Sequence, residues 1–537
     1  MNSILGRGRQ LGILIVALAV SAGCGCKGLP TFSYVPTEPI APLEAPFEMP
    51  ELERPSFPDR VFDIRDFGAV ADGATMNTEA INEAIAACAA AGGGTVLIPA
   101  GLWLTGPIHL LSKVNLHAAE GATVRFSTRF DDYLPVVLTR WEGIEVYNYS
   151  PLIYANNADN IAITGSGTFD GQGEAWFNMR IWQKMGREKL WNSEADGIPV
   201  EERIYGTEEG ALRPAMVQPF NSTNVLIEGP TFTRSPFWVI HPVYCDRLII
   251  RNVTVDSHGV NNDAVDLDSC TNVLVEHSSF SVGDDAVAIK SGRDADGWRV
   301  ARPSENIIVR HITSIGGHGG AVIGSELSGG ARNILFHDIY FKDTVTALRI
   351  KSKVGRGGVI EDIWFRDIVV TGLREKPAFW LDALYASHTV MPATSALTNF
   401  RNIHVENLVS WGGVRSIEIS AYAEQPAENI TLENVFVTAD NGLILENATG
   451  VTFTDVNIIP HSEVGTDLEP VMKIINSRDV TISGTRAFVG TNTFLRVEGA
   501  ESRDIRLRNN DLSRAKRIVS HAGGVPKNAV VVEDSGS

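Results

Sequence analysis

Four short stretches between residues 261 and 352 repeat one pattern and decide the fold. They read Asp263-Ala-Val-Asp-Leu-Asp-Ser269, Asp285-Ala-Val-Ala-Ile-Lys-Ser291, Gly320-Ala-Val-Ile-Gly-Ser-Glu326 and Thr346-Ala-Leu-Arg-Ile-Lys-Ser352. Each follows a second repeated phrase, in which a turn residue precedes alternating apolar residues. That phrase recurs along the chain, at Asn224, Arg247, Asn272, Asn306, Asn333, Asp362, Asn402, Asn429, Gly450, Asp479 and Asp504. Self-similarity at a period of about 20 to 50 residues indicates a solenoid, and a unit of short strands joined by turns is typical of a parallel β-helix.

Stacking the four stretches predicts which side chains point inward. Successive side chains in a strand point to opposite faces. The alignment therefore predicts two inward rows: Val265, Val287, Val322 and Leu348, and Leu267, Ile289, Gly324 and Ile350. The outward rows are Asp266, Ala288, Ile323 and Arg349, and Asp268, Lys290, Ser325 and Lys351. The turns that precede these strands hold Asp263, Asp284, Asp285 and His318, so we expect carboxylates, an imidazole and cations to meet on one exposed flank.

Three carboxylates in adjacent turns suit acid–base chemistry. Their mutual repulsion raises the pKa of at least one of them, which then stays protonated near neutral pH. One protonated and one or two ionised carboxyl groups are what hydrolysis of a glycosidic bond requires. The alternative is structural: a lone Asp in a solenoid turn often bonds its own backbone, and Asp266 and Asp268 could face solvent or pair with Lys290. The complete set, with its histidine and its Arg-x-Lys pair, favours the catalytic interpretation.

Composition limits the partners. The formal charge is −18 and the pI is near 5.2, which argues against nucleic acid or an anionic membrane surface as a general partner. The sequence has no zinc-ligand spacing, no glycine-rich phosphate loop and no nucleophilic triad signature, so we expect neither a metal nor a cofactor. Cys245 and Cys270 should lie in adjacent coils with their side chains parallel, and we interpret them as buried free thiols rather than a disulfide.

The first 58 residues predict export and a spacer. Residues 1–26 join a positively charged start, a short apolar run and small residues, as in a secretory signal peptide. The segment ending at Cys24 resembles a bacterial lipoprotein cleavage site, although ordinary signal cleavage nearby is the alternative. Residues 27–58 are rich in proline and predict an extended linker. Lipidation at Cys24 would make this linker a membrane tether.

Residues 59–535 should form the solenoid, closed at its first coil by a helix. Asn77 or Thr78 can cap a helix in which Ile81, Ala84, Ile85 and Cys88 follow helical spacing. We expect this helix to cover the unpaired edge of the first coil. Residues 174–218 break the coil pattern, show no strand pattern and contain Trp176, Trp182 and Trp191. They predict an inserted loop, either beside the active flank or as surface decoration with buried aromatic residues.

With these motifs in hand, the sequence resembles a known family, the polygalacturonases of glycoside hydrolase family 28. The resemblance rests on Asn261-Asn-Asp263 with Asp266-Leu-Asp268, Gly283-Asp-Asp285, Gly317-His318-Gly319 and Arg349-Ile-Lys351, in the family's order. It implies a single-stranded right-handed parallel β-helix and hydrolysis of α-1,4-galacturonosidic bonds with inversion. It also implies that Asp284 is the general acid, that Asp263 and Asp285 activate water, and that His318 supports the acid. Substrate contacts would come from five residues: Arg349, Lys351, Lys290, Asn261 and Tyr385.

The sequence departs from the family pattern at three positions. These are Asn262 where Thr is common, Ala264 where Gly is common and Ala286 where Cys often stands. The insertion resembles the extra loops of exo-acting members, which favours release of galacturonic acid from chain ends of pectic polysaccharide by a monomeric enzyme. The alternatives are an endo-polygalacturonase, a hydrolase of substituted pectin such as rhamnogalacturonan or xylogalacturonan, and a non-catalytic polysaccharide-binding β-helix. The intact carboxylate set argues against the binding protein.

Overall fold

A computed structural model of the chain describes residues 39–207, 209–210, 212–385, 394–460 and 469–533, without the side chains of residues 180–182. The predicted signal peptide, Cys24 and the first part of the predicted linker lie outside the described residues. From Val61 the chain winds through short parallel strands that stack coil upon coil. One continuous apolar core fills the interior along the length of the stack. The predicted parallel β-helix is confirmed.

Two long parallel sheets form most of the wall. The 23-stranded sheet contains Val61–Asp63, Asp72–Met76, Gly94–Ile98, Gly101–Thr105, Val114–Ala118, Ala122–Phe126, Asp159–Thr164, Thr168–Asp170, Thr223–Glu228, Thr231–Thr233, Asp246–Arg251, Thr254–Ser257, Thr271–Glu276, Ser279–Val282, Ser304–Gly316, Ala331–Lys342, Val359–Leu373, Asn399–Gly412, Ala427–Ala439, Ala448–Pro460, Arg478–Ser483, Arg503–Arg508 and Val530–Glu533. The ten-stranded sheet contains Val265–Asp268, Val287–Lys290, Gly319–Gly324, Thr346–Lys351, Phe379–Asp382, Ile417–Ser420, Leu443–Glu446, Met472–Ile475, Thr493–Glu498 and Arg517–Ala522.

Two smaller sheets lie near the first coils. Strands Ile108–Leu110, Ile153–Asn156 and Val217–Phe220 form a parallel three-stranded sheet. Single bridges at Ile240 and Val243 connect it to Val265–Asp268, so it continues the ten-stranded sheet. The second is an antiparallel hairpin, Val137–Trp141 with Ile144–Asn148. Three short 3-10 helices complete this region, at Ile64–Phe67, Phe130–Tyr133 and Val200–Glu202.

The repeated turn residue has a conformational cause. Every one of the eleven positions from Asn224 to Asp504 has a positive φ, between 50° at Asn224 and 66° at Gly450. Asn, Asp and Gly tolerate this left-handed conformation best. Neighbouring side chains also bond along the stack, since Asn333 Nδ2 donates to Asn306 Oδ1 at 3.0 Å. The repeat therefore marks the same corner in every coil.

The predicted register is wrong for the third of the four stretches. Val287 pairs with Ala321 and Ile289 with Ile323, so Ala321 and Ile323 point inward where the alignment predicted Val322 and Gly324. Val322 and Gly324 instead lie beside Arg349 and Lys351 in the outward rows. A slip of one residue exchanges the two faces of a strand. The observed register keeps the larger Ile323 in the core and leaves a glycine beside the lysines.

The helix at the start of the solenoid is confirmed. Helix α1 spans Thr78–Ala90 and buries the four predicted positions, Ile81, Ala84, Ile85 and Cys88. It packs against the first-coil strands Val61–Asp63 and Gly94–Ile98. Asn77 is the residue before the helix, but its side chain bonds the Val70 and Leu104 backbone instead of capping the first turn.

The segment predicted as an extended linker is packed against the solenoid where it is described. Leu52 and its partly buried neighbours Ile40, Leu43, Ala45, Phe47, Met49 and Phe57 cover an apolar row on the outside of the 23-stranded sheet. Arg310 donates to the carbonyls of Ala41 and Pro42, both at 3.0 Å. Arg54 forms two hydrogen bonds with Glu228, at 2.8 and 2.7 Å. We call residues 39–57 the strap, because they bind across several coils.

The insertion is helical rather than an irregular loop. Helix α2 spans Glu174–Phe177 and helix α3 spans Arg180–Ala195, which includes Trp182. Trp176 is buried in the solenoid core, and Trp191 is buried in a second cluster with Trp141, Phe237 and Trp238. The segment ends at strand Val217–Phe220, which begins one residue before the predicted boundary at 218. The burial of Trp176 and Trp191 corresponds to the second of the two interpretations of this segment, surface decoration with buried aromatic residues.

Helix α4, Asp294–Val300, fills the long interval between Asn272 and Asn306 and packs against α3. Cys88, Cys245 and Cys270 are buried free thiols, which agrees with the interpretation of the Cys245 and Cys270 pair. In the part of the chain that the structure describes, no helix is long and apolar enough to cross a bilayer.

Candidate active site

The three predicted carboxylates meet at the beginning of the ten-stranded sheet. Asp263 and Asp285 lie two residues before paired strand positions Val265 and Val287, so they occupy the same place in adjacent coils. One carboxylate oxygen of each of Asp263, Asp284 and Asp285 lies within 4.8 Å of the others. The predicted convergence of these residues from separate coils is therefore present in the structure.

Asn262 fixes the turn that carries Asp263. Its buried Oδ1 accepts hydrogen bonds from Ser257 Oγ at 2.7 Å and from Gly259 N at 2.6 Å. Its Nδ2 donates to the carbonyls of Ser235 and Phe237, at 3.1 and 2.9 Å. Buried polar groups are stable when they are satisfied in this way. The Asn at this position therefore has a structural reason, since a threonine could not make all four bonds.

Asp285 is the carboxylate with a fixed counter-charge. Lys351 Nζ donates to Asp285 Oδ2 at 2.8 Å, and the two side chains are 10% and 3% exposed. Burial alone would raise the pKa of Asp285, but the ammonium groups of Lys351 and Lys290 outweigh it and hold the pKa below its usual value. Asp285 is therefore ionised over the physiological range.

Asp263 lies in the same position of the previous coil but has the opposite electrostatics. Burial and the charges of Asp266, Asp284 and Asp285 raise its pKa well above the usual value. Its Oδ1 is buried and accepts no hydrogen bond from any residue that the structure describes. Asp263 and Asp285, which the resemblance pairs as activators of water, therefore differ, since the pKa is raised for Asp263 and lowered for Asp285.

Asp284 is the most accessible of the three carboxylates. Its side chain is 19% exposed, and Oδ1 lies 3.2 Å from Nδ1 of His318, whose side chain is 63% exposed. The hydrogen bond to Asp284 raises the pKa of His318 above its usual value, and this effect outweighs partial burial. His318 is held in place from the backbone, since its N–H donates to the Asp284 carbonyl at 3.0 Å. The structure thus brings the predicted histidine to the predicted acid.

A cationic and aromatic group lies beside the carboxylates. The Arg349 guanidinium lies over Trp380 at 4.1 Å and over Tyr385 at 4.9 Å from the ring centres. Its Nη2 also donates to Asp382 Oδ2 at 3.0 Å. Tyr385 additionally lies 5.6 Å from Lys351 Nζ. The predicted pairing of Arg349, Lys351 and Tyr385 at one place is therefore present, while Lys351 already binds Asp285.

Two predicted substrate contacts are engaged with the protein. Lys290 is 4% exposed and lies among Asp266, Glu326 and the Trp238 ring, so it does not face the flank. Asn261 is half-buried, and its Oδ1 accepts a hydrogen bond from Arg213 Nη2 at 2.9 Å. Lys290 belongs to an outward row of the strand alignment and is nevertheless buried, because Glu326 and the Trp238 ring lie against it.

Sequence reasoning missed Trp380, Asp382 and Glu326. Trp380 pairs with Arg349 and Asp382 with Lys351 in the next coil. The repeat could have identified both, because Phe379-Trp-Leu-Asp382 continues the alternating pattern one coil beyond Lys351. Glu326 follows Gly324-Ser325 in the third stretch, and no spacing rule indicates its contact with Lys290.

The carboxylate set is also the group of described residues that could hold a metal ion. Asp285 is already neutralised by Lys351, and burial favours a proton on Asp263. A multivalent cation would have to displace both, so this donor set fits acid–base chemistry better than a resident metal.

The fold and this site define a class of protein, a parallel β-helix glycoside hydrolase. The model of glycosyl hydrolases family 28 matches residues 88–455, and the chain belongs to that family. A probable polygalacturonase of Vitis vinifera is 30% identical over 386 residues, covering 68% of this chain and 73% of the relative. The exo-poly-alpha-D-galacturonosidase of Dickeya chrysanthemi is 25% identical over 445 residues, covering 74% and 71%. The crystal structure of a hyperthermoactive exopolygalacturonase from Thermotoga maritima matches with a TM-score of 0.72 and 39% identity, over 76% of this chain and 93% of that one.

Proposed function

We propose that the protein is a polygalacturonase that hydrolyses α-1,4-galacturonosidic bonds of pectic polysaccharide. The observation that carries the proposal is the meeting of Asp263, Asp284 and Asp285 beside the Arg349, Trp380 and Tyr385 group. A guanidinium is well suited to a sugar carboxylate, because its planar fork can donate two parallel hydrogen bonds. Release of reducing ends from polygalacturonate, with none from neutral polysaccharides, is the direct test.

The carboxylates take separate roles in this proposal. Asp284 is the accessible one, and it protonates the leaving glycosidic oxygen with His318 as its hydrogen-bond partner. Asp285, kept ionised by Lys351, takes a proton from the attacking water. Asp263 orients that water, since one of its carboxylate oxygens lies within 4.8 Å of Asp285 and its Oδ1 accepts no hydrogen bond from the described residues.

The stereochemical outcome needs its own measurement. The resemblance implies inversion, in which the two carboxyl groups usually stand about 6.5–9.5 Å apart. The oxygens here lie within 4.8 Å of one another, nearer to the separation of about 5–5.5 Å that is typical of retaining enzymes. We propose inversion because buried Asp285 is already bonded to Lys351, which leaves its carboxylate a poor nucleophile. Proton NMR of the first product distinguishes the two: the β-anomer supports inversion, and the α-anomer supports a covalent intermediate on Asp285.

We further propose that the enzyme acts from chain ends. The helical insertion stands over the hairpin and α4 at one side of the site, where it can block a continuous groove. The relative from Dickeya chrysanthemi and the structure from Thermotoga maritima are both named as exo-acting. Trp176 and Trp191 are buried, so the insertion would act by its bulk and not by stacking on sugars. Galacturonic acid should be the main early product, with a slow fall in viscosity. A rapid fall with mixed oligomers would identify the endo-acting alternative.

Export is part of the proposal, with release or lipid attachment at Cys24 as its two forms, and the enzyme would act as a monomer. Metabolic labelling with palmitate tests the lipid: wild-type protein should take up label and the variant Cys24→Ser should not. Absence of label in the exported wild-type protein would favour ordinary signal cleavage.

A further inference from the structure

Lys290 lies behind the carboxylates and has no route to substrate. Its ammonium lies 3.2 Å from Glu326 Oε2, 3.5 Å from Asp266 Oδ1 and 3.3 Å from the Gly324 carbonyl. The Trp238 ring closes another side, with its centre 4.5 Å from Nζ. Such a lysine is a fixed internal charge, because a buried ammonium is stable only while it is paired.

Glu326 is held as firmly as Lys290. Its Oε1 accepts from Ser325 Oγ at 3.0 Å and lies 3.8 Å from Arg293 Nη1. Burial alone would raise the pKa of Glu326, but Lys290, Arg356 and Arg293 outweigh it and hold the pKa far below its usual value. Both members of the pair therefore stay ionised.

The pair is tied to the insertion. The Arg293 guanidinium lies 3.7 Å from the centre of the Trp191 ring in helix α3 and 3.6 Å from Glu142 in the hairpin. The insertion therefore holds Arg293, and Arg293 supports Glu326. This is a structural link from the inserted helix to the interior of the site.

Buried charges of both signs lie behind the site. Two ammonium groups, Lys290 and Lys351, face four buried carboxyl groups: Asp263, Asp266, Asp285 and Glu326. Burial raises the pKa of Asp263 and Asp266. Lys351 and Lys290 hold the pKa of Asp285 low despite burial, and Lys290 acts together with Arg356 and Arg293 on Glu326. Lys290 therefore acts on Asp285 and Glu326 at once. His241, also nearby, adds no charge, because burial lowers its pKa.

We propose that Lys290 and Glu326 are a pair of positioning residues, whose opposed buried charges determine how many of the neighbouring carboxyl groups are ionised and so tune the acid–base set for catalysis. The inference rests on the proposed function. It assigns Lys290 a role through Asp285 and Asp263 and not through substrate. The negative charge of Glu326 partly cancels the positive charge of Lys290. Without Glu326, the ammonium group would favour ionisation of the neighbouring carboxyl groups more strongly.

The two single variants should move the pH profile in opposite directions. In Lys290→Met one ammonium is left for four carboxyl groups, so Asp285 ionises less readily. The pH at which kcat/KM falls on the acidic side, which we call the acidic limb, should move up by about one unit. Below that limb, kcat/KM should then be about tenfold lower than in the wild-type enzyme. In Glu326→Gln the unbalanced ammonium favours ionisation, and the limb should fall by up to about one pH unit. The double variant restores the balance, so its limb should return toward the wild-type position.

Other roles predict other results. A limb at the wild-type pH in all three variants, or shifts of the same sign in both single variants, would overturn the proposal. A rise in KM on polygalacturonate with an unmoved limb would mean that Lys290 contacts substrate after all.

A second readout needs no turnover. The folded pKa of Glu326 is depressed, so the stability it contributes is present above its unfolded pKa and is lost as the pH falls. Lys290→Met removes the part of that contribution that comes from Lys290, and its Tm deficit relative to wild type should be larger near pH 7 than near pH 4. An equal deficit at both pH values would indicate lost packing alone and overturn the pair. If the wild-type enzyme does not hydrolyse polygalacturonate, the proposed function fails, while this comparison still decides the electrostatic role.

Discussion

Replacing Lys351 tests the charge assignment of the site most directly. The resemblance implies that Lys351 clamps a substrate carboxylate, but its ammonium lies 2.8 Å from Asp285 Oδ2 and both side chains are nearly buried. In Lys351→Met, Asp285 loses its nearest counter-charge and keeps the weaker influence of Lys290 and Arg349. An opposite charge this close changes a carboxyl pKa by about 1–3 pH units, and the remaining lysine places the expected rise at about 1–2.

The consequence is a selective loss at low pH. Below both acidic limbs, activity is proportional to the ionised fraction of Asp285. The variant should therefore lose about 10- to 100-fold in kcat/KM there, because each pH unit of pKa is a factor of ten. Well above the limb the ionised fraction is complete in both proteins, and the loss should be much smaller. The measurement is kcat/KM on polygalacturonate from about pH 2.5 to pH 8, so that it reaches below both limbs. Tm at each pH confirms that the variant is folded.

Arg349→Gln is the matched comparison. Its guanidinium lies between Trp380 and Tyr385 and contacts Asp382, so it is better placed than Lys351 to reach a sugar carboxylate. This variant should raise KM on polygalacturonate and leave KM on fully methyl-esterified substrate nearly unchanged. It should shift the acidic limb less than Lys351→Met does, because Arg349 acts on Asp285 more weakly than Lys351. If Lys351→Met instead shows this KM pattern with an unmoved limb, Lys351 is a substrate clamp, and the assignment of Asp285 as its charge partner is refuted.

Three further results are expected. Asp284→Asn should lower kcat by at least about a thousandfold with an unchanged Tm, since it removes a positioned general acid; a variant with a tenth of wild-type activity would exclude that role. His318→Ala should lower kcat/KM and abolish the fall of activity at alkaline pH. The pKa of His318 is raised, so its imidazolium can donate to Asp284 until the pH exceeds that pKa. An alkaline fall that persists in the variant must come from another group. Arg54→Ala should lower Tm measurably through loss of about 1–3 kcal/mol of contact with buried Glu228, whereas Arg65→Ala, at an exposed ion pair, should change it little; equal effects would show that the strap is not docked.

The catalytic cluster could be predicted because the solenoid makes register nearly local. Asp263 and Asp285 are 22 residues apart, yet the repeated phrase that follows each one places them in the same position of adjacent coils. The repeated phrase also predicts the turn conformation, since nine of the eleven corners are Asn or Asp and all eleven have positive φ. The predicted register of the third stretch is wrong by one residue. Its strand begins with Gly319 and Gly320, which have no side chains to show which positions face inward.

The proton positions could not be predicted from the repeat. Asp263 and Asp285 are equivalent by register, and only the structure shows that Lys351, two coils beyond Asp285, reaches one of them and not the other. The burial of Lys290 likewise depends on Trp238 and on the covering insertion, which belong to no repeat. Outward residues of a solenoid strand are exposed only where no inserted segment lies over them.

The apolar surface that the strap covers can be recognised in the sequence, and so can the coil at which that surface ends. Three consecutive apolar residues follow each early corner, and since side chains alternate, the middle one must point outward. These middle residues form a continuous apolar row: Leu226, Ile249, Leu274, Ile308, Leu335 and Trp364. In later coils the row becomes polar, with His404, Thr431, Thr452, Thr481 and Arg506. An outward apolar row is costly unless it is covered, so the change of character near residue 364 marks where a covering segment is needed. The strap packs against that apolar row, with Phe47 reaching Trp364 at 5.7 Å between ring centres.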